Sequence, residues 1–131
     1  MKKSITLLLI VAFFMTLTTI SCKKEKQEDP EKTYSELIVG RWKTSAAEPY
    51  YEVYYSDGTG KMWDEGDDVH EDEADTFDWS IDNEDKLTQI VHYHEGGAVV
   101  PQYCNILILN ETRFKYNNEG WRATYDLQKV N

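Results

Sequence analysis

Short stretches in which apolar and polar residues alternate limit what this chain can fold into. Three of them alternate without interruption: residues 77–82, 112–116 and 121–128. Successive side chains of a strand point to opposite faces, so each stretch predicts a β-strand with one apolar face. Helical periodicity does not continue beyond residue 40. The chain is therefore predicted to be all-β.

Turn residues separate the predicted strands at short intervals. Asp57-Gly58 is a strong hairpin signal, and turns are also expected at 83–86, 110–111 and 117–120. Short links make consecutive strands antiparallel neighbours, and such a meander closes most readily into an up-and-down barrel without exposed edges. A two-sheet sandwich is the alternative, but it needs longer crossing connections. The eight predicted strands cover residues 41–45, 51–55, 60–64, 77–82, 87–93, 103–109, 112–116 and 121–128.

One short helical turn is predicted just before the first strand. Thr33 and Glu36 have the spacing of a capping box, and Gly40 suits the end of the turn. The following Gly40-Arg41-Trp42 resembles the Gly-x-Trp start of lipocalins, a family of eight-stranded barrels. That resemblance implies a helical turn that plugs the barrel, and structural roles for Gly40 and Trp42.

Further residues carry the same resemblance. The segment 51–60 is similar to the second and third strands of small bacterial lipocalin-like lipoproteins. Lipocalins usually place an Arg from the last strand over the conserved Trp. Here the alternation turns Arg122 away from the inner face, whereas Lys129 has the inner parity and would substitute for that Arg.

The N-terminal 22 residues have the order of an export signal. A cationic start (Met1-Lys2-Lys3) precedes an apolar run at 5–15, and the segment closes on Cys22. Ending on Cys resembles a bacterial lipoprotein signal, in which that Cys is lipidated. A plain cleaved signal and a retained anchor are the alternatives, although 5–20 is short against the roughly 20 residues of a membrane span.

Three segments follow from these observations. We expect a lipoprotein signal peptide at 1–21, a flexible tether at 22–33 and a barrel domain at 34–131. Residues 23–32 contain no apolar side chain apart from Pro30 and cannot bury surface. The resemblance implies an exported protein that Cys22 anchors in the cell envelope, with the outer membrane of a Gram-negative bacterium preferred.

The chain is strongly acidic, with a net charge of −10. Removing residues 1–21 takes away Lys2 and Lys3 and no acid, so the charge of the mature chain falls to −12. Such a field repels polyanions, so nucleic acid is excluded as a partner. Lipidation of Cys22 would leave Cys104 as the remaining thiol, and no intramolecular disulfide could then form.

Sequence motifs for catalysis or metal binding are weak. His92 and His94 would share one face of a strand and could begin a zinc site, with His70 or a nearby carboxylate as a third ligand, but the spacing alone is a weak signal. Cys104 lies in an apolar strand without a neighbouring base, so its thiol is expected to be unreactive. We predict a non-enzymatic protein without a cofactor.

Nine carboxylates and no Lys or Arg lie within residues 64–78. Mutual repulsion favours an extended, solvated loop. Calcium binding through carboxylate oxygens and docking of a basic partner are the alternatives. The EF-hand order of ligands is missing, which weakens the calcium hypothesis.

The dense aromatic residues are the remaining candidates for function. An interior lined by rings suits one small apolar or amphipathic ligand. The alternative is a protein- or glycan-interaction module whose barrel is filled by side chains. The predicted ligand-binding residues are Trp63, Tyr51, Tyr55, Trp121 and Tyr125.

Overall fold

A computed structural model describes residues 31–83 and 85–131 of the chain. The predicted signal peptide, Cys22 and most of the predicted tether lie outside the described residues. Residues Glu31–Asn131 form one compact unit.

The described chain is a closed barrel of eight antiparallel strands in sequence order. Each strand pairs with the next, and β1 also pairs with β8 (Arg41 opposite Val130), which removes both sheet edges. This confirms the predicted up-and-down barrel and excludes the two-sheet sandwich. The elements are α1 (Tyr34–Ile38), β1 (Gly40–Lys43), β2 (Tyr50–Tyr54), β3 (Thr59–Asp64), β4 (Asp75–Asp82), β5 (Lys86–His92), β6 (Val99–Leu109), β7 (Arg113–Asn118) and β8 (Ala123–Val130).

Helix α1 begins with the predicted capping box. The Thr33 side chain accepts a hydrogen bond from the backbone N–H of Glu36, and the Glu36 carboxylate accepts one from the backbone N–H of Thr33. These reciprocal bonds satisfy donors that a five-residue helix would otherwise leave free. The helix packs against β4 and β6 at one end of the barrel.

Trp42 and Lys129 join the helix to the strands at that end. The Trp42 indole is fully buried, and its Nε1 donates to the carbonyl oxygen of Ile38 at 2.7 Å. The Lys129 ammonium lies 4.8 Å from the Trp42 ring centroid and donates to the carbonyl oxygen of Leu37. Lys129 therefore occupies the place predicted for it over the Trp. Gly40 has φ +137°, and a Cβ there would lie 2.7 Å from Lys129 Cε.

The barrel centre on the α1 side is filled by side chains. Phe114 packs edge-on against both Trp42 and Tyr54, at centroid distances of 5.6 and 5.8 Å. Phe77 and Leu127, each 1% exposed or less, complete this layer. Close-packed aromatic and aliphatic side chains therefore occupy this half of the barrel.

Several strand boundaries differ from the prediction: β1 ends at Lys43, β4 begins at Asp75 and β6 begins at Val99. Strand β8 begins at Ala123, because the Asn118 side chain accepts hydrogen bonds from the backbone N–H groups of Gly120 and Trp121 and folds that segment into a turn. Strand β5 ends at His92.

Among the described residues, no helix is long and apolar enough to cross a membrane.

Candidate functional site

The end of the barrel opposite α1 opens into a depression of about 670 Å³, called here the mouth cavity. It forms where β1, β3 and β5 end and where β2, β4 and β8 begin. This volume lies within the roughly 300–1,000 Å³ of small-molecule sites. The lining residues are Thr44, Tyr50, Met62, Trp63, Asp64, Asp67, Asp68, Val69, Glu73, Asp75, Tyr93, His94, Glu95, Gln102, Trp121 and Tyr125.

Aromatic rings form the inner surface of the mouth cavity. The rings of Tyr50 and Tyr125 lie 5.4 Å apart, and Tyr125 stacks on the buried Tyr116 with centroids 5.0 Å apart. The Tyr50 hydroxyl also lies 3.4 Å from the sulfur of Met62. An apolar ligand body would therefore meet ring faces and a thioether.

A buried carboxylate lies next to these rings. Glu52, on the inner face of β2, is 0% exposed, and its two oxygens accept hydrogen bonds from the hydroxyls of Tyr50 (2.8 Å), Tyr54 (2.7 Å) and Tyr116. Gln89 donates to the Tyr54 hydroxyl at 2.8 Å, so the hydrogen of that hydroxyl is free to point at Glu52. We call these five residues the Glu52 network.

Burial dominates the titration of the Glu52 network. Loss of hydration raises the pKa of Glu52 above its ordinary value, while hydrogen bonds from Tyr116, Tyr54 and Tyr50 act in the opposite direction. Burial, followed by the proximity of the Glu52 charge, raises the pKa of Tyr54 and of Tyr116 well above the usual range. The phenols therefore stay protonated and act as donors at physiological pH.

Six carboxylates line the mouth cavity, five from the β3–β4 connection and its strand ends and one from the segment after β5. Two of them are held by the backbone: Asp64 accepts from the N–H of Gly66 at 2.9 Å, and Asp75 accepts from the N–H of His94 at 2.6 Å. Among the residues that the structure describes, no Lys or Arg lines the cavity. The six are Asp64, Asp67, Asp68, Glu73, Asp75 and Glu95.

The acidic loop is more ordered than the sequence predicts. It contains two short 3₁₀ turns, Glu65–Asp67 and Glu71–Glu73. Glu71 accepts hydrogen bonds from Arg41 (2.7 Å) and Lys61 (2.5 Å), and these partners hold the pKa of Glu71 below its ordinary value. The loop is solvated as expected, with no buried residue between 64 and 75, but it is not extended, because strands β1 and β3 supply cations that the loop itself lacks.

Trp63 borders the mouth cavity, but its ring belongs to the outer wall. Its partner in the β2–β3 register is Tyr51, and the two rings stack at 4.7 Å. The Arg41 guanidinium lies 5.3 Å from the Trp63 centroid, and the ring is 4% exposed. The adjacent Met62 points into the core, so alternation places Trp63 outside.

The other predicted ligand-binding residues divide between the two faces. Tyr125 and Trp121 line the mouth cavity, and Trp121 is 63% exposed because it lies in the turn before β8. Tyr51 and Tyr55 do not line it, so the mouth cavity gives no support to their prediction as ligand-binding residues. They have the parity opposite to that of Glu52, so the pleat of β2 turns them outward.

The two candidate metal ligands on β5 do not share a face. His92 is the last residue of the strand and its Nε2 lies 2.9 Å from a carboxylate oxygen of Asp78 on the outer wall, whereas His94 follows the strand end and lines the mouth cavity. Within residues 31–83 and 85–131, no three His, Cys, Asp or Glu side chains are grouped closely enough to hold a metal ion.

Cys104 is buried in the barrel interior, at 2% exposure. Its Sγ lies 3.8 Å from Oε1 of Gln89. Burial raises the pKa of the thiol to about 12, so almost none of it is thiolate at neutral pH. This environment matches the expected structural role.

Sequence reasoning missed the Glu52 network and the charge of the mouth cavity. A usable signal for the first was present, since Glu52 stands between two tyrosines of the same parity, where a carboxylate must find donors. The second had a partial signal, because five of its six acids belong to the acidic run 64–78, whereas Glu95 follows β5 and only the fold brings it to the others.

The fold and the site together define an up-and-down barrel with one plugged end and one open, acidic, ring-lined end. No family model matches the chain, and no curated protein or solved structure matches it either.

Proposed function

We propose that this protein is a non-catalytic binding protein that holds one small amphipathic molecule in the mouth cavity. The observation that carries the proposal is the open depression of about 670 Å³ above a core of packed rings. Tyr50, Tyr125 and Met62 would contact the apolar part of the ligand, and the surrounding carboxylates and Gln102 would contact its polar part.

We also propose that the domain is tethered to a membrane of the bacterial cell envelope through lipidated Cys22. The cationic start, the apolar run and the terminal Cys of the leader support this proposal, as does the resemblance to lipocalin-like lipoproteins. Each buried methylene of an acyl chain contributes roughly 0.8 kcal/mol, so two or three chains would hold the domain firmly. Membrane fractionation of a Cys22→Ser variant tests this: release from the membrane is expected, and unchanged membrane association would contradict it.

Ligand binding is tested by filling the mouth cavity. Val69 lines it and is half-buried, so Val69→Trp would occupy the space that a ligand needs. The matched control is Ile90→Trp, since Ile90 is 40% exposed and points outward from β5. The full chain is placed in phosphatidylcholine nanodiscs and titrated by calorimetry, using empty discs as the blank. The probes are 2-(1-naphthyl)ethylamine, 2-(1-naphthyl)ethanol and 3-(1-naphthyl)propionate.

The proposal expects saturable one-to-one binding in the natural chain and in Ile90→Trp, and strongly weakened binding in Val69→Trp. Equal affinity in all three proteins would place the probe outside the mouth cavity and overturn the proposal. If no probe binds to any of the three proteins, the proposal is also overturned.

A filled-barrel interaction module is the second candidate function. It is favoured by exposed apolar side chains on the outer faces of β5 and β6, including Tyr103 (56% exposed), Val99 (57%) and Leu107 (54%). In that case a protein or glycan would contact the outer wall, and Tyr103→Ser would weaken capture of that partner while Val69→Trp would not.

A further inference from the structure

The mouth cavity has a charge that selects among amphipathic molecules. Six of its lining residues are carboxylates, and the described residues contribute no Lys or Arg to its lining. The ion pairs between a carboxylate and Lys or Arg that the described residues form lie elsewhere, at Glu71, Glu111 and Asp126. Among the residues that the structure describes, the ionisable nitrogen that comes within 4 Å of any of the six is Nε2 of His70, 3.9 Å from Asp68.

The shape of the cavity concentrates this charge. Like charges around a concave, partly apolar wall focus the field into the opening and raise the local concentration of cations. Asp64 and Asp75 are fixed by backbone N–H donors, so their carboxylates are held at the opening. An anionic ligand would be repelled by these carboxylates.

An exposed indole stands at the same opening, and this is an observation independent of the acids. Trp121 is 63% exposed although indole is largely apolar, and the Asn118 side chain fixes its backbone at 3.1 Å. The ring faces of Tyr50 and Tyr125 lie deeper in the same depression. Aromatic faces attract ammonium and guanidinium groups through the ring quadrupole.

Two features of the mouth cavity favour one ligand chemistry. They are its carboxylates and its aromatic rings, which lie both at the opening and deeper inside. We infer that the mouth cavity takes an amphipathic organic cation, in which an apolar or aryl body carries an amine or a quaternary ammonium. The body contacts the tyrosine rings, and the cationic group lies between Trp121 and the carboxylates. This inference rests on the proposed binding function and names its ligand class.

Three probes with the same body separate the charge from the rest of the ligand. They are 2-(1-naphthyl)ethylamine, 2-(1-naphthyl)ethanol and 3-(1-naphthyl)propionate, titrated by calorimetry into the full chain in phosphatidylcholine nanodiscs at low salt. A tenfold difference in affinity corresponds to about 1.4 kcal/mol. We expect the amine to bind at least about tenfold tighter than the alcohol, and the propionate to bind weakest.

A charge-removal pair locates the effect. Asp68→Asn with Glu73→Gln neutralises two lining acids, and Asp82→Asn with Asp85→Asn removes the same charge from exposed positions at the α1 end. The first pair is expected to weaken the amine about tenfold and the alcohol less than twofold, while the second leaves both nearly unchanged. Trp121→Ala is expected to weaken the amine about threefold more than the alcohol.

The outcomes distinguish the two levels of the proposal. If the alcohol binds as tightly as the amine, or if both charge-removal pairs act alike, the cation inference is overturned while ligand binding in the mouth cavity stands. If none of the three probes binds at millimolar concentration, the proposed function itself fails and the inference fails with it.

Discussion

Tyr54 donates a hydrogen bond of 2.7 Å to the carboxylate of Glu52, two residues earlier on the same strand. Both residues are buried, and the alternation of β2 points both side chains into the barrel. The hydroxyl of Tyr116 reaches the same carboxylate from β7. The buried acid thus connects two distant strands, and its environment leads to testable consequences for stability.

The titration of Glu52 should make folding less favourable as pH rises. Its folded-state pKa is raised, chiefly by burial, so its contribution to stability is complete below the ordinary value of 4.5 and is lost as pH rises through the raised value. Glu52→Gln removes this titration. We expect the free energy of unfolding of the natural protein, minus that of the variant, to fall with rising pH above about 4.5. Urea unfolding over a pH series measures this difference, and a flat or rising difference would contradict the assignment.

Removing one donor of the Glu52 network should destabilise the fold. Tyr116→Phe keeps the ring stacked on Tyr125 but leaves a buried carboxylate with one hydrogen bond fewer, which typically costs about 1–3 kcal/mol. Tyr103→Phe is the matched control, because Tyr103 is 56% exposed and should change stability by less than about 0.5 kcal/mol. Chemical denaturation measures both. Equal effects would show that the buried hydroxyl contributes nothing specific.

Lys129 should stabilise the plugged end of the barrel. Lys129→Met keeps most of the side-chain volume but loses the cation over Trp42 and the hydrogen bond to Leu37, so we expect a loss of about 1–2 kcal/mol. Lys43→Met, at the other end of the β1–β8 pairing, is the control and should have little effect. Thermal unfolding of the three proteins decides the matter. A variant as stable as the natural chain would remove Lys129 from the account of the plug.

Cys104 should be inert in the folded protein. Its pKa of about 12 and its 2% exposure leave neither thiolate nor access for a reagent. In a Cys22→Ser chain it is the remaining thiol. We expect no reaction with a thiol-specific chromophore at pH 8 until urea unfolds the protein, after which one equivalent should react. Rapid labelling of the native protein would show that the interior opens readily.

The sequence was informative wherever structure depends on nearest neighbours. Alternation at 77–82 and 112–116, the Asp57-Gly58 hairpin and the Thr33–Glu36 capping box each involve residues within a few positions of one another. The barrel and its helical turn were therefore predictable. Trp121 was misplaced because the side chain of Asn118 ends the local alternation, and hydropathy does not register that hydrogen bond.

Closure of the barrel determined which distant side chains meet. Residue order on β2 shows that Glu52 faces inward. Only the closed barrel brings the Tyr116 hydroxyl to Glu52 and the Gln89 amide to the Tyr54 hydroxyl. Arg41 and Lys61 balance Glu71 because the acidic loop folds back over their strands. The mouth cavity likewise exists because the ends of separate strands meet at one edge of the barrel. Local sequence determines which face a side chain takes, since the pleat repeats every two residues; which distant side chain it meets depends on the curvature and closure of the whole sheet.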